Sequence, residues 1–330
     1  MNKTIFLIDA FAQIYRSFYA MPLMTNSKGE YTNAVFGFAR FLLALEKEYS
    51  PNFGAVVFDK GKPVDRLKVL PDYKANRKPM PDELRSQIKN IRQILTAFGY
   101  PIIEEENREA DDVLAAVAVY YKDYDVKIIS ADKDIAQVID HRVEMLIPGT
   151  PSKGLAKRGI QEVIDKFNIS PSQIVDYLAM LGDASDNIPG LPGVGVKTSA
   201  KLLNEYSSIN NMLSNPEIIE NKKLREKIVK HANLLKMNIK LITFDLSLDE
   251  KFTNNKFIHK NIPNYAAIRQ IADELELKRF VKDIEPFLPL SDLENNNEFS
   301  DLELFKNIDP DLKKNKKSDS ESSFYTPDMF

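Results

Sequence analysis

The sequence predicts an α/β domain, a largely parallel sheet with flanking helices, followed by a wholly helical region. Three observations carry the prediction. Short apolar runs at 4–8, 54–58, 126–129 and 143–147 alternate with stretches of helical spacing. Three of these runs lead into acids, Asp9, Asp59 and, after Ser130-Ala131, Asp132 and Asp134. In parallel sheets the carboxyl ends of the strands are where ligands bind. From about residue 169 the strand pattern stops and only helical spacing remains.

Taken in order, 4–8 is an unbroken apolar run, as a strand buried on both faces requires. The stretch 34–45 sets Phe38, Phe41, Leu42 and Leu45 at helical spacing, and 54–58 is a second buried strand. A helix is predicted over 81–98, with Leu84, Ile88, Ile91 and Leu95 on one face, and another over 110–121. The runs 126–129 and 143–147 are the third and fourth strands. In the helical region Ser170-Pro171-Ser172-Gln173 reads as a helix start: Ser caps, Pro takes the first position and Gln reaches back. Ile174, Leu178 and Leu181 then face a core, and Gly182 ends that helix. Val196, Ala200 and Leu203 are the expected buried stripe of the next helix, leaving Lys197 and Lys201 free. Further helices are expected over 224–239 and 265–280. Beyond Pro289 the sequence turns to Asn, Ser, Lys and Asp, which predicts a disordered tail over 289–330.

At 330 residues the chain has room for two domains. The absence of Cys excludes disulfides and thiolate metal sites, and His141, His231 and His259 are too scattered to form a ligand set. Neither a signal peptide nor a membrane span is legible, which predicts a cytoplasmic protein without membrane association. The net charge of −3 is unevenly spread: residues 289–330 hold ten acids and five bases, which leaves +2 for residues 1–288. With nine acids gathered in one pocket, the remaining surface is basic, as a nucleic-acid partner requires.

Two chemistries meet in the segment 182–203, GDASDNIPGLPGVGVKTSAKLL. Asp183 and Asp186 lie three apart at a helix end, where both carboxylates can point one way. The Gly-rich turn that follows, 190–195, can present bare N–H groups to a phosphate, and the next helix adds its positive dipole. Val196 separates Gly195 from Lys197, so this is no P-loop, and a dinucleotide fingerprint fails for want of a third Gly and a leading strand. A tight structural turn is the alternative. Glu109, Asp111 and Asp112 open the helix at 110; they suit the helix dipole, but three carboxylates in four residues also invite a cation. Together Asp9, Asp59, Glu109, Asp111, Asp112, Asp132, Asp134, Asp183 and Asp186 point to a divalent metal, and their all-oxygen chemistry to Mg²⁺ or Mn²⁺ rather than zinc. Residues 60–92 hold ten Lys/Arg against four acids, broken by prolines, with Tyr73 beside Lys74, Arg77 and Lys78. An aromatic among bases suits stacking and phosphate contact; a solvated connection is the alternative.

The stretches LIDAFAQIYRSFYA, VVFDKGKP, DYKANRKPMPDELR, EADD, SADKD, GDASDNIPGLPGVG and KTSAKLL resemble, in order and spacing, the 5′→3′ exonuclease domain of bacterial DNA polymerase I. That domain is the bacterial branch of the flap endonuclease family, and the resemblance covers about residues 1–288. It implies a PIN-like nuclease domain at 1–168 with a basic arch at about 60–92, and a helix–hairpin–helix DNA-binding domain at 169–288. It assigns the nine acids to metal, Lys74 and Arg77 to the arch, and Arg16 and Tyr19 to phosphate contact or base stacking near the site. It assigns the duplex backbone to the hairpin, with a bound K⁺; here that is Gly190, Gly193, Gly195, Lys197, Thr198 and Lys201. Ala10 departs from the family's usual Gly. No polymerase follows, as expected of a stand-alone member or of a fragment of a longer protein.

The expected activity is two-metal hydrolysis of DNA at 5′ ends, nicks and flaps, possible RNA primers included, by a monomer, with ions ~3.5–4 Å apart. Lys74 and Arg77 would clamp the scissile phosphate. An inactive duplex- or junction-binding module and an RNA-directed nuclease are the alternatives. The segment 301–305, DLELF, resembles a peptide that docks on the sliding clamp, with Asp301 where that peptide has Gln.

Overall fold

The computed structural model describes residues 3–149 and 154–288. Among these, six strands form one sheet in the order β3-β2-β1-β4-β5-β6. The strands are β1 (Lys3–Asp9), β2 (Phe53–Lys60), β3 (Ile102–Glu106), β4 (Tyr124–Ile129), β5 (Val143–Pro148) and β6 (Leu155–Arg158). Every neighbouring pair is parallel except β5–β6. The helices of the first half are α1 (Ala10–Tyr19), α2 (Asn33–Tyr49), α3 (Val64–Val69), α4 (Asp82–Arg85), α5 (Ile88–Ala97), α6 (Ala110–Tyr120) and α7 (Ile160–Phe167). Those of the second are α8 (Ile174–Leu181), α9 (Val196–Tyr206), α10 (Ile209–Ser214), α11 (Lys222–Lys230), α12 (Ala232–Ile242), α13 (Tyr265–Glu274) and α14 (Lys278–Ile284).

Strand alternation divides the core in two. Ile5 and Leu7 of β1 join Val57, Ile103, Val126 and Ile128 on one face, while Phe6 and Ile8 join Val56, Phe58 and Ile129 on the other. The first face is covered by α6 and by the helical region from α8 to α12, whose Leu202, Leu203, Leu235 and Leu241 belong to the same cluster. The second is covered by α1, α2 and α5, and also by α13 and α14 through Ile268, Phe280 and Ile284. The sheet reverses its winding between β1 and β4. The carboxyl ends of those two strands therefore flank a crevice, the usual ligand position of a doubly wound sheet.

The four predicted strands are present, and β3 and β6 join them at the two edges. Edge position explains why their sequences, IIEEE and LAKR, carry so little apolar signal. Three predicted helices are each split. The 81–98 helix breaks because the buried amide of Gln87 serves another element: its Oε1 accepts from the N–H groups of Ala34 (2.8 Å) and Val35 (3.2 Å), at the start of α2. The 224–239 helix breaks at His231, whose ring nitrogen Nδ1 bonds the Lys227 carbonyl oxygen. The 265–280 helix breaks at Glu276, which adopts a left-handed φ of 58°. Leu275 and Leu277 stay buried on both sides of that break, so the apolar period runs through it. The 289–330 tail and its 301–305 segment lie outside the described residues.

Candidate metal centre and nucleic-acid interface

The acids are held by backbone geometry at the sheet's carboxyl edge. Asp9 ends β1 and caps α1, its Oδ1 accepting from the N–H of Ala12 (3.1 Å) and its Oδ2 from the Ser130 hydroxyl (3.0 Å). Asp59, near the end of β2, accepts from the N–H of Ala110 (2.9 Å), which fixes the start of α6 against the sheet. Asp132 follows β4 and caps a 3₁₀ turn by accepting from the N–H of Asp134 (2.9 Å). From the helical region, Asp183 follows α8 and accepts from the N–H of Ser185 (2.8 Å), while Asp186 is buried. One cleft is lined by Glu109, Asp111, Asp132, Asp134 and Asp186, with Tyr73 and Lys74, and is closed by Ile188, Leu241, Ile242 and Phe244.

This crowding disfavours negative charge. Burial, then Asp59, raises the Asp9 carboxyl to about 7. Burial also raises Asp59 and Asp132. Asp111 goes well above the carboxylate range through burial and then Asp132, as does Asp134 for the same two reasons. Asp134 Oδ1 is buried with no hydrogen-bond partner. Asp183 goes the other way: burial would raise it, but the hydrogen bonds from Lys133 and Ser185 outweigh burial and hold it low.

Four cations enter the cluster. Lys74 pairs with Glu109 and lies 3.6 Å from Asp186, Arg77 pairs with Asp186, and Lys133 pairs with Asp183 at 2.8 Å. Arg66 reaches both Glu109 and Asp112 at 2.5 Å and donates from Nε to the Leu241 carbonyl (2.8 Å). With these in place, no three Asp, Glu or His side chains among the described residues are set to hold one ion as they stand. The segment 72–76 is also tied to the turn after α8. The N–H of Lys74, itself at a left-handed φ of 58°, donates to the Asp186 carbonyl (3.0 Å). Asn76 donates to Ala184 O (2.6 Å) and Asn187 to Asp72 O (2.9 Å).

The hairpin is built on close backbone approach. A Cβ at Gly190 would meet the Leu181 carbonyl oxygen at 2.0 Å, so this position admits only glycine. The buried Asn238 donates to Ala179 O (2.8 Å) and Pro189 O (2.7 Å), and Lys227 Nζ donates to Pro192 O (2.7 Å), bracing the turn from α12 and α11. Gly195 caps α9 and has open space where a Cβ would be. The helix N-terminus with Lys197, half-buried Thr198 and Lys201 thus faces solvent, as a backbone-phosphate site requires.

Comparison with known proteins decides the family. The family model described as "5'-3' exonuclease, N-terminal resolvase-like domain" matches residues 4–168, and "5'-3' exonuclease, C-terminal SAM fold" matches residues 169–264. The chain belongs to the 5′-3′ exonuclease family. A 5'-3' exonuclease of Aquifex aeolicus (strain VF5) is 37% identical over 285 residues, 86% of this chain and 96% of that protein. DNA polymerase I of Bacillus caldotenax is 36% identical over 258 residues, 76% of this chain but only 29% of the polymerase. The chain therefore matches less than a third of that longer relative. Among solved structures, a T5 5'-exonuclease with divalent zinc bound shares the fold at a TM-score of 0.63 and 21% identity, covering 86% of this chain and 98% of that one. A bacteriophage T5 flap endonuclease in complex with DNA and metal ions does so at 0.59 and 23%, with the same coverage.

Three expectations about this exonuclease-family chain need correction. Tyr73 is no exposed stacking platform: it is 7% exposed, and its hydroxyl donates within reach of Glu109 (3.1 Å) and Asp186 (3.2 Å). Asp112 does not face the cleft freely, because its Oδ1 accepts from Arg66 Nη2 (2.8 Å) and the N–H of Asp245 (2.9 Å), and its Oδ2 pairs with Arg66 Nη1. Val196 is 58% exposed rather than part of the buried stripe, since it is the first residue of α9. Of the other predicted residues, Tyr19 is 59% exposed, its ring stacked on Tyr15, and Arg16 donates to the Gly149 carbonyl. Sequence reading missed Arg66, Ser130, Lys133 and Asn238. Lys133 had one legible signal, its place between two expected ligands.

Proposed function

We propose that this chain is a structure-specific 5′→3′ exonuclease and 5′-flap endonuclease that hydrolyses DNA phosphodiesters with divalent metal, Mg²⁺ or Mn²⁺. One observation carries the reading: acids at the sheet's carboxyl edge and Asp186 from the turn after α8 share a cleft into which Lys74 of the arch reaches. Residues 1–168 supply most of the acids, and residues 169–288 hold the duplex and add Asp183 and Asp186.

The donor set suits a hard cation. It is all carboxylate oxygen, Asp9, Asp59, Asp111, Asp132 and Asp134 are held above their usual range by burial and neighbouring acids, and Asp134 Oδ1 has no partner. Asp9, Asp59, Asp111, Asp132 and Asp134, with Glu109, Asp183 and Asp186, would hold the metal. Once bound, paired ions supply an activated water and a sink for charge on the leaving oxygen. Lys74 and Arg77 then turn from the acids they now neutralise to the phosphate, whose charge grows in the transition state. Tyr73 keeps Glu109 and Asp186 in register through its hydroxyl. Tyr19 offers an open ring to a base, and Arg16 stands one turn before it on α1. The Gly190–Gly195 turn, with Lys197, Thr198 and Lys201, sets the duplex backbone, and carbonyl oxygens of the turn would be the ligands of a K⁺ bound there.

A metal-free junction-binding module is the second reading, favoured by the cations that occupy the acids. A labelled 5′ flap, incubated with and without Mg²⁺ beside single-stranded RNA, separates the readings: Mg²⁺-dependent release of flap products supports the nuclease, and tight binding without release supports the module. The same proposal has the protein working as a cytoplasmic monomer at nicks, flaps and RNA primers. Its tail would reach a sliding clamp through Leu302, Leu304 and Phe305; a fluorescent 296–310 peptide that failed to bind clamp would remove that part.

A further inference from the structure

β6 ends on Arg158, whose register partner on β5 is Met145. Paired residues share a face of the sheet, and Met145 lies in the core with Val163 and Phe167 of α7 and Ile174 of α8. The neighbouring Lys157 pairs with Glu144, leaving Arg158 to the α7 side. There its Nη1 is sealed from solvent and has no acceptor, although the residue as a whole is half-exposed. Arg158 makes no ion pair among the described residues. The acid that acts on it, Glu162, commits Oε2 to the N–H of Gly159 (2.7 Å).

Two more cations act on one another or on Arg158 here. Lys166, in the last turn of α7, lies 5.3 Å from the centre of the Phe167 ring, and that ring meets Tyr177 of α8 at 5.8 Å. Lys133, held on Asp183 at 2.8 Å, acts on both Lys166 and Tyr177. Burial, then repulsion from Arg158 and Lys133, pushes the Lys166 ammonium down to about 8. Cations grouped in this way, one with a sealed and unpaired donor, are relieved by an anion.

We infer that Arg158, Lys166 and Lys133 form an anion site for a backbone phosphate of the DNA strand beside the acid cleft, a contact supplied by neither the arch nor the hairpin. The inference rests on the nuclease reading. A guanidinium fork matches phosphate oxygens, and the Lys133–Asp183 pair sets the site next to the acids, which favours a polynucleotide over a free anion.

The test is the affinity of the full chain for a fluorescein-labelled 5′-flap duplex in EDTA, titrated across salt. The proteins are wild type, Arg158→Gln/Lys166→Gln, and Lys122→Gln, a control at the opposite, amino end of β4. The double variant is expected to bind about tenfold more weakly at 0.1 M salt, with a salt slope shallower by about one to two units. The control is expected to bind as wild type. Affinity and slope equal to the control would overturn the site. If the double variant melts early, Arg158→Lys carries the test, since it keeps the charge and loses the fork. It is expected to bind about threefold more weakly at an unchanged slope, and wild-type affinity would overturn the proposal. Failure of wild type itself to bind flap DNA would refute the nuclease reading, and the site with it, and is visible separately in the wild-type titration.

Discussion

Arg66→Met should be among the most damaging single substitutions in the chain. The Arg66 side chain is 12% exposed, and its partners Glu109 and Asp112 are 9% and 4% exposed, so solvent screens the group little. Removing it takes from the buried Asp112 its only cation among the described residues, leaving it just the Asp245 N–H, and removes one donor each from Glu109 and the Leu241 carbonyl. Breaking a buried pair from one side costs about 3–5 kcal/mol, and the loss falls on Asp112, since Glu109 keeps Lys74 and Tyr73. Urea unfolding of the metal-free protein measures it. Asp112→Leu added to Arg66→Met should regain about half of the loss, because one uncompensated charge goes with its partner. Asp112→Asn should lower stability while leaving Mn²⁺ affinity as in wild type. A cost for Arg66→Met below about 1 kcal/mol, or weaker Mn²⁺ binding by Asp112→Asn, would refute the assignment of Arg66 and Asp112 to structure.

Three further outcomes follow from the same geometry. Lys74→Ala and Arg77→Ala should slow single-turnover cleavage by about 10² each if they neutralise transition-state charge; loss of binding alone, at an unchanged single-turnover rate, would argue against that role. Asp9 has a folded pKa of about 7, above its ordinary 3.8, so its contribution to stability is present at low pH and lost as pH rises from about 4 through 7. Asp59, Asp111, Asp132 and Asp134 shift in the same direction, and Asp183 is the one acid of the cluster shifted the other way, so in EDTA the melting temperature should fall between pH 5 and pH 8, and Mg²⁺ should restore it at pH 8. A metal-free protein more stable at pH 8 than at pH 5 would contradict this. Gly190→Ala should unfold the hairpin and cost about 2–4 kcal/mol, because the clash at 2.0 Å is with backbone that cannot swing aside; differential scanning calorimetry would show it, and a loss under 0.5 kcal/mol would mean that the turn is looser than described.

The layer architecture was legible because its signals are local. Strands buried on both faces read as apolar runs, and the acids that end them need no tertiary information to be noticed. What escaped the sequence was decided by long-range partners. Gln87 breaks a helix because its amide is wanted at the start of α2, some fifty residues away in the chain, and nothing in its own neighbourhood signals this. Glu276 splits α13 from α14 without disturbing the apolar period, since both pieces face one core. In the site, the acids were found as residues of a type, but their counter-charges were not: Arg66 looks like any basic residue until folding sets it against Asp112, and the place of Lys133 between two acids does not point to its partner Asp183. Tyr73 was misread for the same reason, because an aromatic in a basic run looks exposed until the cleft encloses it.

The most direct measurement is cleavage of a labelled 5′-flap duplex by wild type and by Asp183→Asn/Asp186→Asn, with and without Mg²⁺, alongside DNA affinity in EDTA. Asp183 and Asp186 come from the helical region and Asp9, Asp59 and Asp132 from the sheet, so the double variant asks whether both halves serve one metal centre. The account predicts Mg²⁺-dependent cleavage by wild type, a loss of about 10² or more in the variant, and DNA affinity that persists or rises as negative charge is removed. Full Mg²⁺-dependent cleavage by the variant would contradict it.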